Sequence, residues 1–245
     1  MSGIDERMVA ALRTLPPKPD DDTAPGVKNA YAQRVSAAIA LALADELRER
    51  GMSEARPAGP GDLDSGSGAE RRLAGAFGSK TVDVSWATED SGLLFSATLK
   101  SINFRDGRSG NFQKNLTNRR GDMLIEALSL HRRFPYAVLS GWIILDKDAA
   151  TDDTDRRRST FENAFPRLRL FTGRTDPTGR EEQFERLYIL LLDANPFSPS
   201  LTCWEANDST TPVPLDRALI DLEGLVAERN FDTYEQDEQG RLSRL

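Results

Sequence analysis

Tyr136 to Leu145 reads YAVLSGWIIL, a nearly continuous apolar run between the charged segments HRRF and DKDAATDDTDRRR. A strand with one wet face would alternate apolar and polar positions, and this run does not. It reads as a strand covered on both faces in the middle of a sheet. Leu187 to Asp193 (LYILLLD) reads the same way. Two such strands need helices on either side of them, which places the chain among α/β folds.

The rest of the chain supplies the helices. Residues 5–15 form a short helix stopped by Pro16 and Pro17. Val27 to Arg50 is an Ala-rich helix ended by Gly51, and its small residues suit either docking on the core or pairing with a second copy. Residues 53–68, rich in Pro, Gly, Ser and Asp, read as a linker or loop. A helix is expected over Ala69–Phe77, strands over Thr81–Trp86 and Leu93–Phe104 joined by a turn at Thr88–Gly92, and a helix over Asn111–Arg133. A charged loop, Asp146–Arg158, precedes a helix over Ser159–Leu170. After a turn-rich stretch come a short helix at about Arg180–Arg186, the second buried strand, an edge strand at Leu201–Glu205 and a closing helix over Pro214–Arg229. The acidic stretch from Asp232 reads as poorly ordered. The expected fold is therefore α/β: a mixed central sheet flanked by helices over residues 61–232, an N-terminal helical segment and linker over 1–60, and an acidic tail over 233–245.

Composition excludes several alternatives. With 245 residues, 38% hydrophobic and 29% charged, the chain can bury one good-sized core and keep a charged surface. It has no apolar run long enough to span a bilayer and no hydrophobic signal core near its start, so membrane insertion and secretion are not expected. The lone Cys203 excludes an internal disulfide and a cysteine zinc site, which fits a reducing cytoplasm. GxxxxGK[ST], a strand–helix GxGxxG and GxSxG are all missing, and the one histidine, His131, sits in a basic helix end, where a structural or phosphate-proximal role suits it better than general-base work. The net charge of −7 disfavours nucleic-acid binding by the whole surface. Residues 105–133 nonetheless concentrate Arg105, Arg108, Lys114, Arg119, Arg120, Arg132 and Arg133 against only Asp106, Asp122 and Glu126.

The strand period of two supplies the chemical lead. On the first strand Val82, Val84 and Trp86 share one face and Thr81, Asp83 and Ser85 the other. On the second, Leu93, Phe95, Ala97 and Leu99 oppose Leu94, Ser96, Thr98 and Lys100. As hairpin partners, the strands project Asp83 and Lys100 from one face. A carboxylate that holds a divalent cation beside a lysine that orients water suits phosphodiester hydrolysis. An aspartate at a strand end, a spacer and a strand ending in acid-any-lysine resembles the PD-(D/E)xK nucleases, which include many type II restriction endonucleases; here Asp83 and Lys100 match. The position two before the lysine is Thr98 where the family has an acid. Some members carry that acid on the following helix, where Asp122 and Glu126 stand. The resemblance covers roughly residues 68–145. It implies a metal-dependent DNA endonuclease with Mg²⁺, or Mn²⁺, as cofactor, working in restriction or phage defence. Asp83, Glu70 and the Leu99 carbonyl would be metal ligands, Lys100 would position water, and Glu126 would complete the site. Double-stranded DNA is the implied substrate, and a homodimer or a subunit of a defence complex the implied assembly.

Other residues keep two readings. Glu70 is either a first-turn acid favoured by a helix dipole or part of the metal environment. Arg105 and Arg108, in a loop with two glycines, belong either to a plain turn or to a phosphate contact. On the helix after them, Phe112, Leu116, Met123, Ala127, Leu130 and Phe134 have core spacing. Asn115, Arg119, Asp122, Glu126, Ser129 and Arg133 make a second stripe. That stripe is either a solvated face braced by ion pairs of about 0.2–0.5 kcal/mol each or a wall beside the site. Asn115 and Arg119 suit the wall, with Lys114 adding to its basic charge, and Ser129 and Arg133 suit the solvated face. A catalytically inactive descendant that binds DNA or a partner is the alternative, and Thr98 and the acidic net charge favour it.

Overall fold

The computed structural model describes residues 3–63 and 68–245. In chain order the elements are α1 (Gly3–Arg13), α2 (Pro25–Glu49), β1 (Arg71–Gly75), β2 (Gly78–Val82), β3 (Val84–Thr88), β4 (Gly92–Ile102), α3 (Gln113–Arg133), β5 (Val138–Asp146), α4 (Thr160–Leu168), β6 (Arg186–Asp193), β7 (Ser200–Glu205), α5 (Leu215–Arg229), β8 (Tyr234–Gln236) and β9 (Leu242–Arg244). Part of the expected 53–68 linker, residues 64–67, lies outside the described residues.

The central sheet has the order β3-β4-β5-β6-β7. The β4–β5 and β5–β6 pairs are parallel, and both edge pairs are antiparallel. β5 is buried along its whole length, as its sequence predicts. Its alternate residues explain why both faces are apolar: Val138, Trp142 and Ile144 join the core beneath α1, α2 and α5, while Leu139, Ile143 and Leu145 join the core beneath α3 and α4. The crossovers from β4 to β5 through α3 and from β5 to β6 through α4 step across the sheet in one direction. Right-handed connections then put both helices on the same face. α3 passes so close to β5 that a Cβ on Gly141 would lie 2.6 Å from the Met123 methyl. On the opposite face Val35, Ile39, Leu43 and Leu47 of α2 are buried at four-residue spacing, and burying each such side chain contributes roughly 1.5–3 kcal/mol.

Five expectations give way to tertiary context. Residues 69–77 are not helical: β1 and β2 form a two-stranded hairpin that pairs from Arg71↔Val82 to Gly75↔Gly78. Gly75 and Gly78 weaken a helix there, and Gly78, at φ +114°, takes a backbone conformation that glycine reaches freely. The Ser129 carbonyl and hydroxyl of α3 accept the turn N–H groups of Ala76 and Phe77. Ser129 is accordingly buried rather than on a solvated face. Residues 180–186 hold no helix; Glu185 N–H bonds the Leu139 carbonyl and Phe184 bridges Thr172, which holds the chain extended into β6. The acidic tail is ordered as the β8–β9 hairpin, with Leu242 N–H on the Arg50 carbonyl and Tyr234 edge-on to Trp86 at 5.1 Å. Finally, a β-bulge between Trp86 and Ala87 shifts the register, so that Leu93 joins the α3-side core while Leu94 and Phe95 join the other.

Candidate active site

β3 and β4 part company where the site forms. Their pairing ends at Val84↔Ala97, whereas β4 stays paired to β5 as far as Ile102. Leu99 and Ser101 therefore turn their backbone groups to an open edge, because N–H and C=O of one strand residue point the same way. The bend at Asp83 brings its carboxylate to that edge, and Asp83 Oδ2 accepts the Leu99 N–H at 2.7 Å. Lys100, next along β4, places Nζ 3.7 Å from the same oxygen. Asp83 and Lys100 thus meet as expected, although through a bend and not along a continuous strand.

α3 supplies the third group. Glu126 is buried, with Oε1 accepting from the Thr98 hydroxyl at 2.8 Å and Oε2 3.4 Å from Lys100 Nζ. A carboxylate from α3 is thus docked on Thr98, two residues before Lys100. Asp122 does not play this part; it is exposed and pairs with Arg119 at 3.7 Å. Burial pushes the Glu126 carboxyl up and the Asp83 charge adds to that, while Lys100 and the Thr98 hydroxyl pull it down. Asp152, buried below the start of α3, accepts the Phe112 N–H at 3.2 Å and helps fix where the helix begins.

Glu70 is delivered by the hairpin. With Arg71 opposite Val82, Glu70 and Asp83 are the next residues on either side of its base. Glu70 is not on a helix; it lines the cleft with Asp83 and Lys100. Partial burial and then the Asp83 charge push its carboxyl up, and Lys100 opposes them.

The cleft, about 650 Å³, runs between this edge and α2, which contributes Asn29, Gln33 and Ser36. Ser36 and Ser101 share a hydroxyl hydrogen bond of 3.0 Å, and Ser101 also bonds the Ala32 carbonyl at 3.3 Å. Polar residues at 29, 33 and 36 have helical spacing on an otherwise Ala-rich helix, and that signal marks them as a wetted stripe. Arg119 lines this cleft and an adjoining hollow that also takes in Asn115 and Arg105.

The remaining basic residues divide. Arg105 is engaged by Asp21 at 3.8 Å, Asp148 at 3.7 Å and the Gly110 carbonyl at 3.2 Å. Lys114 is committed to Asp106 at 3.0 Å, and that bond, with the Ser109 N–H, holds the Asp106 carboxyl down to about 2. Arg108 is exposed on its loop and Arg133 lies over the Phe134 ring, both away from the cleft. His131 is structural: its ring nitrogens face the Glu181 carbonyl at 2.9 Å and the Glu185 carboxylate at 3.2 Å inside the core.

Among the described residues no group of three or more Asp, Glu, His or Cys is gathered tightly enough to cage a metal ion. The donor set suits magnesium nonetheless. That ion is commonly held by one or two carboxylates, with water and substrate oxygens completing its shell, and Asp83 and Glu126 are two carboxylates that converge on one ammonium. No helix among the described residues is long and apolar enough to cross a membrane. No known protein family, curated protein or solved structure matches the chain.

Proposed function

We propose that the chain is a metal-dependent endonuclease of the restriction endonuclease-like kind that hydrolyses phosphodiesters in double-stranded DNA. The observation that carries this reading is the docking of Glu126 on Thr98, which places a second carboxylate at Lys100 opposite Asp83. Asp83, Glu126 and the Leu99 carbonyl would hold Mg²⁺ or Mn²⁺, which supplies Lewis-acid polarisation of the phosphoryl oxygens. Lys100 orients the attacking water by hydrogen bonding and stabilises charge on the phosphoryl group as the phosphorus–oxygen bond breaks. Asn115 and Arg119 bind and orient the strand. Glu70, with its raised carboxyl, stands at the cleft to take a proton from water. A second copy of the chain would bring an active site to the other strand, as a homodimer does.

One observation favours the second reading, a non-catalytic DNA-binding subunit: Lys100 already lies beside both carboxylates, and no group of three acid, histidine or cysteine ligands gathers among the described residues.

The test is cleavage of supercoiled plasmid with Mg²⁺ or Mn²⁺ by the full chain. Asp83→Ala, Lys100→Ala and Glu126→Gln are each expected to lower the rate about a hundredfold or more. Thr98→Val, which keeps the shape but releases Glu126, is expected to fall in the same direction. DNA binding without cleavage under either metal would leave the second reading.

A further inference from the structure

The base of the β1–β2 hairpin carries two arginines that the candidate site does not use. Arg71 opens β1 directly after Glu70 and pairs with Val82, the residue before Asp83. Arg56 lies along the outer edge of β3, where it exchanges two 2.9 Å backbone hydrogen bonds with Ser85, two residues after Asp83. The segment Val82–Ser85 thus carries one arginine on either side of Asp83.

Both side chains are half-buried, and the Nε of each is buried with no hydrogen-bond partner. Among the described residues neither guanidinium has a hydrogen bond or an ion pair. Exposed unpaired arginines such as Arg108 keep their donors in water, whereas here the Nε groups are shut away from it. The nearby Arg48 and Arg50 are instead paired: Asp45 and Asp62 engage the first, and Glu46, Asp216 and Glu223 the second. Burial and then the Arg56 charge push the Arg71 guanidinium below its ordinary range, and Glu54 is the acid that opposes them. Two like charges held together with unsatisfied N–H donors are unfavourable on their own account, and a bound anion removes both penalties at once.

We propose that Arg56 and Arg71 form an anion site that takes one backbone phosphate of the DNA flanking the scissile bond; this rests on the nuclease reading. Guanidinium groups match a phosphate by paired N–H donors, and two of them grip one phosphate from two sides. The position follows from the hairpin: the site flanks Asp83 and Glu70, and the exposed face of the hairpin (Arg72, Ser79 and Thr81) continues outward from it.

The test uses the full chain and a labelled duplex with chelator present, so that binding is read without cleavage. The variant Arg56→Gln/Arg71→Gln is expected to bind about tenfold more weakly, equally across sequences, with a salt dependence shallower by about one contact. Its Tm is expected to be unchanged or higher, since the repulsion is gone, and Arg71→Lys, which keeps the charge, is expected to recover part of the affinity. Unchanged affinity and salt slope would overturn the proposal, as would a lowered Tm that Arg71→Lys does not restore. Stabilisation of the wild type by inorganic phosphate, with DNA affinity unaltered in the double variant, would also overturn it and leave a small-anion site. Cleavage assays separate the two readings. Binding that depends on the arginines without cutting under Mg²⁺ or Mn²⁺ keeps the anion site and removes the nuclease. Cutting with arginine-independent binding does the reverse, and no DNA binding at all removes both.

Discussion

Glu126 shows how much one side chain depends on its surroundings. In the sequence it is one acid in a stripe of polar positions along a helix; in the fold it is buried, held by Thr98 and faced by Lys100. Burial, the largest influence on it, raises its carboxyl above the ordinary range of 4.5. The folded chain then binds that proton more tightly than the unfolded chain does. Keeping Glu126 ionised costs stability that is absent below the ordinary carboxylate range and grows as pH rises through it. Glu126→Gln is expected to raise Tm at pH 7 and leave it nearly unchanged at pH 4, where the native side chain is already neutral. Thermal melts at the two pH values check this; an equal shift at both would mean that burial does not dominate at this carboxyl.

At the scale of elements, a buried charge cluster ties the far end of the fold together. Glu185, at the entrance to β6, accepts from Arg174 at 2.9 Å, His131 of α3 at 3.2 Å and the Leu139 N–H of β5 at 2.6 Å, and is ion-paired with Arg229 of α5 at 2.7 Å. Burial alone would push this carboxyl up, but His131, Arg229 and the Leu139 N–H outweigh it and hold it at about 2. With the folded value depressed, the stabilisation is present above the ordinary value of 4.5 and is lost as pH falls from there to about 2. Glu185→Gln leaves buried guanidinium groups uncompensated and is expected to cost about 3–5 kcal/mol at pH 7. In denaturant titrations, the gap between variant and wild type is expected to narrow as pH is lowered through that window. A constant gap would show that the ionised form is not what stabilises the cluster. The same cluster explains why residues 180–186 are not helical: Glu185 is committed to strand-like backbone bonding.

At the scale of the molecule, the N-terminal helices belong to the core. α1 and α2 share one apolar cluster with β3, β4, β5, β6, β7 and α5, and α2 forms the far wall of the cleft. Removing residues 1–60 would strip α1 and α2 from that cluster and uncover the face of β3 and β4 on which α2 packs. A chain starting at residue 61 is expected to lose its cooperative thermal transition, as read by circular dichroism. A sharp transition in that fragment would show that the helices form a separable unit. The open edge of β4 also follows from the whole arrangement. The chain enters the central sheet only after Asp83, having formed the β1–β2 hairpin, so β4 keeps a partner on one side only beyond Ala97.

The apolar run 136–145, the parallel strands it requires and the core face of α3 are legible in the sequence, because burial on one or both faces leaves a periodic trace in residue type. Although the contact between Asp83 and Lys100 is made by the bend at Asp83, outside the paired register, the pairing of the two strands next to them is legible through the strand period. The hairpin at 71–82 and the ordered tail were not, since short strands rich in glycine and charge are stabilised by partners far along the chain: Ser129 for one, Arg50 and Trp86 for the other. Nor does any local pattern single out Glu126 over Asp122. Both lie on one helix stripe, and only the crossing of α3 over β4 decides which carboxylate is buried against Thr98 and which is left in water.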